Sequence, residues 1–287
     1  MRWQGRDESG NVEDRRGFSV GRVGGIGGIG ALVLALVAVY FGQDPSTVLQ
    51  EVQQGAPAQG AGPAEPYQET GREAQARHLV GVVLKDTEQA WHEIFAASGR
   101  QYEEPKLVLF TQAVESACGT AQSAVGPFYC PGDRRVYIDL GFFDELSGRF
   151  GAPGDFAKAY VVAHEVGHHV QNLLGISERA DAARQRGNAQ QANAVSVRLE
   201  LQADCFAGIW AHNANESRQL LESGDIESGL GAASAVGDDR LQMQSRGYSV
   251  PESFTHGTSA QRMRWFKRGY DSGKTGDCNT FGKGSGL

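Results

Sequence analysis

Cysteine is scarce in this sequence, and the net charge has the wrong sign for nucleic-acid binding. Four cysteines occur in 287 residues, and no two are spaced as Cys-x-x-Cys, so a zinc ribbon or a thioredoxin-like redox motif is excluded. The net charge of −7 argues against a nucleic-acid partner. No internal repeat is evident, and the length allows one sizeable domain with extensions, or at most two domains.

Charged residues are absent from residues 23–42, VGGIGGIGALVLALVAVYFG. Twenty helical residues span about 30 Å, the thickness of a bilayer core, so we predict a transmembrane helix, with a buried core helix as the alternative. Tyr40 and Phe41 occupy positions where a cleavage site needs small residues, which favours an uncleaved signal anchor over a cleaved signal peptide. Arginines precede the segment and Asp44 follows it, which predicts a cytoplasmic N-terminus and an extracytoplasmic body.

The flanking composition predicts the remaining boundaries. Residues 1–22 are polar, and we expect a disordered cytoplasmic tail. Residues 43–70 are rich in Gln, Ala, Gly and Pro and predict a flexible linker. The main domain is expected over 71–281, followed by a glycine-rich disordered tail at 282–287.

The central motif is His164-Glu165-Val166-Gly167-His168, an H-E-x-x-H pattern. Residues four apart share one face of a helix, so the two imidazoles can bind a single Zn²⁺. Glu165 can then act as general base toward a water in the open coordination position. Apolar residues at helical spacing predict a helix over Asp155–Gly175. A buried helix that carries these residues by coincidence is the alternative.

A third ligand is suggested about thirty residues later. Glu200 and Asp204 are also spaced i, i+4 on a predicted helix, so both carboxylates share a face. One of them can complete a two-histidine, one-carboxylate site, and the other can accept the remaining ring N–H of a ligand histidine. The apolar residues around them argue against a solvated acidic face, because an unpaired buried carboxylate is costly.

Several motifs in one order resemble a known family. The sequences GPFYCP, RVYIDL, AYVVAHEVGHHVQNLLG, ELQADCFAG, GDDR and SFTHGTSAQR are similar to those of the bacterial neutral zinc metallopeptidases, a membrane-anchored, gluzincin-like family. The resemblance covers about residues 70–281. It implies a zinc peptidase in which His164, His168 and Glu200 bind the metal, Asp204 orients a histidine, and one N-terminal helix anchors the chain in the membrane.

The segment from Thr255 to Arg262 has the pattern H-x-x-x-x-x-R. It resembles a segment of gluzincin-type membrane proteases whose His and Arg lie near the active site. We therefore nominate His256 and Arg262 to stabilise the oxyanion of the tetrahedral intermediate. The alternative for His256 is a helix cap before a predicted helix over 259–270.

The four cysteines, Cys118, Cys130, Cys205 and Cys278, fit two disulfides in a domain expected outside the cytoplasm. Three pairings are possible, and four buried thiols are the alternative. We favour Cys118–Cys130, which closes a local loop, and Cys205–Cys278, which ties the C-terminal region to the helix bearing the acidic pair.

The expected fold is α+β, a mainly helical zincin-like domain with a small sheet that includes strands at 105–110 and 135–140. The expected activity is zinc-dependent endopeptidase action on a peptide or protein substrate, with a metal-bound water activated by Glu165. Two alternatives remain: a non-catalytic, zinc-stabilised envelope or interaction protein, and an amidase acting on cell-wall peptides. An intact Glu165 argues against the first alternative, since a structural zinc site needs no general base.

Overall fold

The computed structural model describes residues 1–17 and 67–287. Within these residues the chain forms eight α-helices and six strands, which confirms the predicted α+β, mainly helical fold. The helices are α1 (Gly71–Ala97), α2 (Phe142–Gly148), α3 (Asp155–Leu173), α4 (Ile176–Arg186), α5 (Ala189–Arg218), α6 (Asp225–Ala235), α7 (Asp238–Arg246) and α8 (Ser259–Ser272). The strands are β1 (Val12–Asp14), β2 (Lys106–Phe110), β3 (Ala113–Ser116), β4 (Gly119–Gln122), β5 (Phe128–Cys130) and β6 (Arg135–Asp139).

The main sheet has four strands in the order β1-β2-β6-β5. Strands β1, β2 and β6 run parallel, and β5 pairs antiparallel with β6. The two strands expected from the sequence, β2 and β6, are therefore internal, and the short strand β5 forms the edge nearest α3. Strands β3 and β4 form a separate hairpin.

The N-terminal residues belong to the folded domain, so the predicted disordered tail is wrong for this part of the chain. Residues Met1–Arg15 and Glu69–Leu287 form one compact unit. Val12 pairs with Leu107 in the sheet, and Trp3 is only 2% exposed. The indole Nε1 of Trp3 donates to Asp155 Oδ2 at 2.8 Å, at the first residue of α3. Burial of a large aromatic side chain and a strand pairing together stabilise the N-terminal arm, residues 1–15.

This pairing also affects the predicted membrane topology. The transmembrane segment expected at 23–42 and most of the linker expected at 43–70 lie outside the described residues. Among the described residues, no helix is both long and apolar enough to cross a bilayer. Because β1 and β2 are hydrogen-bonded neighbours, the N-terminus and the helical body must lie on the same side of any membrane. A cytoplasmic N-terminus with an extracytoplasmic body does not fit this pairing, and the side of the membrane on which the domain lies stays a prediction.

The helical body is organised around α5, which packs on α3 and on α8. Two glycines allow α5 and α8 to come unusually close. A Cβ atom on Gly208 would lie 2.1 Å from the backbone oxygen of Phe266, and one on Gly269 would lie 1.9 Å from that of Cys205. Any side chain at these positions would force the helices apart.

The C-terminal region is folded onto α5, so the predicted disordered tail at 282–287 is also wrong. Arg198 donates to the backbone oxygens of Thr280 and Leu287. Both predicted disulfides are confirmed: Cys118–Cys130 joins β5 to the loop after β3, and Cys205–Cys278 joins α5 to the C-terminal segment. The second disulfide fastens this segment two residues before Thr280, whose backbone oxygen accepts from Arg198 of α5.

Candidate active site

Helix α3 carries the H-E-x-x-H motif and crosses α5 at Gly167. A Cβ atom on Gly167 would lie 2.9 Å from the backbone oxygen of Ala203 and 3.1 Å from its Cα. The absence of a side chain therefore allows direct backbone contact between the two helices. That contact brings the histidines of α3 to the carboxylates of α5.

Three predicted metal ligands converge at this crossing. His164 Nε2 lies 3.2 Å from Glu200 Oε2, and His168 Nε2 lies 3.3 Å from Glu200 Oε1. One ligand atom from each of the three residues lies within 4.8 Å of the others. Tetrahedral zinc with bonds of about 2.0–2.2 Å separates its ligand atoms by roughly 3.4 Å. The donor set and its spacing therefore fit a catalytic zinc site.

Asp204 supports the first histidine. His164 Nδ1 lies 2.9 Å from Asp204 Oδ1, so the ring donates from Nδ1 and presents Nε2 to the metal position. Burial opposes a charged imidazole, but the carboxylates of Asp204 and Glu200 outweigh it and raise the pKa of His164 to about 9. Because zinc binds the neutral ring, metal binding must displace that proton. The resemblance assigned Glu200 as a metal ligand and Asp204 as the group that orients a ligand histidine, and this geometry supports the same assignment.

Arg262 and Tyr160 complete a buried cluster behind His164. The Arg262 guanidinium donates from Nε to Asp204 Oδ2 and from Nη2 to Asp204 Oδ1, both at 2.9 Å. The Tyr160 hydroxyl donates to Asp204 Oδ1 at 2.5 Å. Burial opposes ionisation of Asp204, but Arg262 and His164 outweigh it and hold the pKa of Asp204 at about 2. These contacts indicate that Arg262 positions Asp204, and the direct oxyanion role expected of Arg262 stays a prediction.

Glu165 is placed as a free proton acceptor. It is 7% exposed and lines the same cleft as the three ligands. Burial raises the pKa of Glu165, against the opposing charges of His164 and His168, and a raised pKa makes a carboxylate a stronger base. In the described parts of the chain, no hydrogen bond or ion pair occupies its carboxylate, which is therefore available to water.

His256 reaches the cleft from the loop before α8. Asp238 holds that loop by accepting the backbone N–H groups of Thr255, His256 and Gly257, at 2.7, 2.6 and 3.0 Å. Its other oxygen lies 3.2 Å from His256 Nδ1. This hydrogen bond outweighs burial and raises the pKa of His256. The ring is half exposed and lines the cleft, so its Nε2 side can meet a substrate. The role expected of His256 stays a prediction.

Sequence reasoning missed two polar groups at the site. Gln171, one turn after His168, lies with Oε1 2.9 Å from His168 Nδ1; its place at i+3 from a ligand histidine was the available signal. Asp238 lies 18 residues before His256, and no local sequence pattern links the two residues. By contrast, His169 is fully buried and contacts the Tyr129 hydroxyl and the Glu103 backbone oxygen, away from the metal ligands.

The cleft is large enough for a peptide, and its lining is partly aromatic and partly polar. Its volume is about 980 Å³, within the range of small-ligand sites. The 3₁₀ turn Ser123–Val125, residues of strand β5 and the aromatic side chains of Phe142 and Phe150 line it. Polar residues from α4 and α7 also line it. Edge strand β5 therefore contributes to the same cleft as the metal ligands.

Comparison with known proteins agrees with this arrangement. The family model described as "Putative neutral zinc metallopeptidase" matches residues 1–281. The chain belongs to this family. The match includes the N-terminal arm, in keeping with the packing of residues 1–15 on the zinc-binding domain.

Three bacterial relatives match most or part of the chain. The uncharacterized protein YpfJ of Escherichia coli (strain K12) is 49% identical over 294 residues, which cover 99% of each chain. The uncharacterized proteins Rv2575 of Mycobacterium tuberculosis and Mb2605 of Mycobacterium bovis are each 50% identical over 190 residues, or 63% of each chain. No solved structure matches the chain.

Proposed function

We propose that this member of the neutral zinc metallopeptidase family is an active zinc-dependent endopeptidase. The observation that carries the proposal is the unpaired Glu165 carboxylate beside the His164, His168 and Glu200 set in an open cleft. A structural zinc site is closed by four protein ligands, whereas a catalytic one keeps a position open. Among the described residues this set contains three ligands, which supports the catalytic alternative.

Bound zinc would supply a Lewis acid that polarises a carbonyl oxygen and increases the acidity of water. Glu165 accepts a proton from the attacking water and returns it to the leaving amine. In its protonated form, which Asp238 favours by raising the pKa of His256, His256 donates a hydrogen bond to the developing oxyanion. The edge of β5 can hold the substrate backbone as an added strand, with alternate side chains of the substrate pointing to opposite sides of that strand.

We further propose that the domain works outside the cytoplasm. The two disulfides support this location, because paired cysteines persist in oxidising compartments. The N-terminal arm is expected on the same side as the cleft. In intact cells, thiol labelling should modify no cysteine before reduction and all four after it. Extensive labelling before reduction would indicate a reducing compartment and contradict the proposal.

The test of activity compares the full chain with its Glu165→Gln variant. We expect about one zinc per chain in both proteins and cleavage of unfolded protein or peptide substrates by the parent alone. Glu178→Gln, the same change at an exposed position of α4 outside the cleft, is the control and should keep full activity. Zinc without cleavage in any form would favour the non-catalytic role. Cleavage restricted to cell-wall peptides would favour the amidase.

A further inference from the structure

The second metal ligand, His168, lacks the carboxylate support that Asp204 gives to His164. Its Nδ1 faces the side-chain oxygen of Gln171 at 2.9 Å, while its Nε2 faces Glu200. Gln171 lies one turn further along α3 and is fully buried. An amide at this position can hold the ring in the metal-binding tautomer only if its oxygen, and not its nitrogen, faces the histidine.

The contacts of Gln171 determine which way its amide points. Its Nε2 donates to the Leu199 backbone oxygen at 2.7 Å and to Gln202 Oε1 at 3.1 Å. A flipped amide would place its oxygen against both of these acceptors and its NH₂ against a ring N–H. Because a buried polar group without a partner is costly, only the observed orientation satisfies all the groups. The orientation therefore requires a proton on His168 Nδ1 and leaves Nε2 free for a metal.

Gln202 extends this support to the C-terminal segment. It is 5% exposed, and its Nε2 donates to the Cys278 backbone oxygen at 2.9 Å. The donors therefore run in one direction, from His168 to Gln171, from Gln171 to Gln202, and from Gln202 to Cys278. Hydrogen bonds aligned in this way polarise one another. The final acceptor belongs to the residue that the disulfide to Cys205 fastens onto α5.

We propose that Gln171, oriented by Gln202, is a positioning residue that holds His168 in its metal-binding tautomer. The docked C-terminal segment supplies the last acceptor of this hydrogen-bond chain and so contributes to metal affinity from the opposite side of α5. The inference rests on the proposed zinc site and adds to it residues that touch neither metal nor substrate. Partners of this kind typically affect metal affinity 10–100-fold.

The experiment measures zinc affinity by competition with a chromophoric chelator, using full-length parent and Gln171→Met proteins that are first shown to be folded by circular dichroism. We expect about 10–100-fold weaker zinc binding in Gln171→Met. Gln171→Glu keeps an acceptor for the His168 N–H but sets a carboxylate oxygen against the Leu199 and Gln202 oxygens, so it should recover only part of the affinity. Asn172→Leu is the matched control, since the neighbouring amide contacts the Tyr129 hydroxyl and no ligand; its zinc affinity should equal that of the parent.

A second measurement needs no substitution. In the zinc-loaded parent, ¹⁵N-resolved NMR of the histidine rings should show His168 with a proton on Nδ1 and the metal on Nε2. Metal on Nδ1, or a folded Gln171→Met protein with parental zinc affinity, would overturn the inference while leaving the zinc site intact. A parent protein that binds no zinc would overturn the metal site and the inference together.

Discussion

Replacing Arg262 by Met tests whether this residue supports the metal site structurally or stabilises the oxyanion directly. The buried cluster holds three carboxylates, those of Glu165, Glu200 and Asp204, against the charge of Arg262 and, when present, of Zn²⁺. With a divalent ion and Arg262 the charges balance. Without Arg262 one negative charge is uncompensated, and it falls on Asp204, which is fully buried.

The expected loss of stability is large. Removing one partner of a buried ion pair costs about 3–5 kcal/mol, because the other charge stays desolvated. In a domain of this size, 1 kcal/mol corresponds to roughly 2–4 °C in Tm, so the zinc-loaded Arg262→Met protein should melt about 6–20 °C lower. Arg262→Lys should recover only part of this loss, since one ammonium cannot make both contacts to Asp204 as the planar guanidinium does.

Differential scanning calorimetry of the zinc-loaded proteins measures this shift. Arg264→Met, an exposed arginine on the same helix, is the matched control and should change stability by less than about 0.5 kcal/mol. An Arg262→Met protein with parental Tm and zinc affinity but a greatly reduced kcat would refute the reasoning. That result would restore the direct oxyanion role that the sequence motif indicated.

Three further predictions concern the loop, the helix crossing and the N-terminal arm. Asp238→Asn should move the alkaline limb of the pH–rate profile to lower pH. Asp238 raises the pKa of His256, so losing its carboxylate lowers that pKa, and activity falls as the pH rises through it. An alkaline limb that does not move would exclude His256 as the hydrogen-bond donor. Gly167→Ala should weaken zinc binding in equilibrium titrations, because the new Cβ would lie 2.9 Å from the Ala203 oxygen; parental affinity would show that the helices can separate without cost. Trp3→Ala should lower the free energy of unfolding by about 3–5 kcal/mol in urea titrations, and a negligible change would mean that the arm does not pack on the domain in solution.

The parts of the site that the sequence predicted are local. The spacing of His164, Glu165 and His168 places them on one turn of a helix whatever surrounds it, and the same spacing puts Glu200 and Asp204 on one face of α5. The family resemblance then distinguished the ligand carboxylate from the supporting one. The helix boundaries followed from apolar periodicity, and the two disulfides from an even cysteine count and an expected extracytoplasmic location.

The incorrect predictions concern the ends of the chain. A polar, charged arm and a glycine-rich tail have the composition of disordered segments. Composition does not show that a single residue such as Trp3 will occupy a pocket between distant helices, or that Arg198 will bind the last carbonyl of the chain. Both outcomes depend on surfaces formed only after the chain has folded.

By itself, the sequence determined the chemical identity of the site: two histidines, a general base and an acidic pair at helical spacing. Only the tertiary structure decided the parts that lie far apart along the chain. It placed Arg262 on Asp204, Asp238 beneath His256, and Gln171 between a metal ligand and the C-terminal segment. The physical reason is that helical periodicity acts within a few residues, whereas the partner of a buried polar group is selected by whichever donor or acceptor the packed helices bring within hydrogen-bond distance.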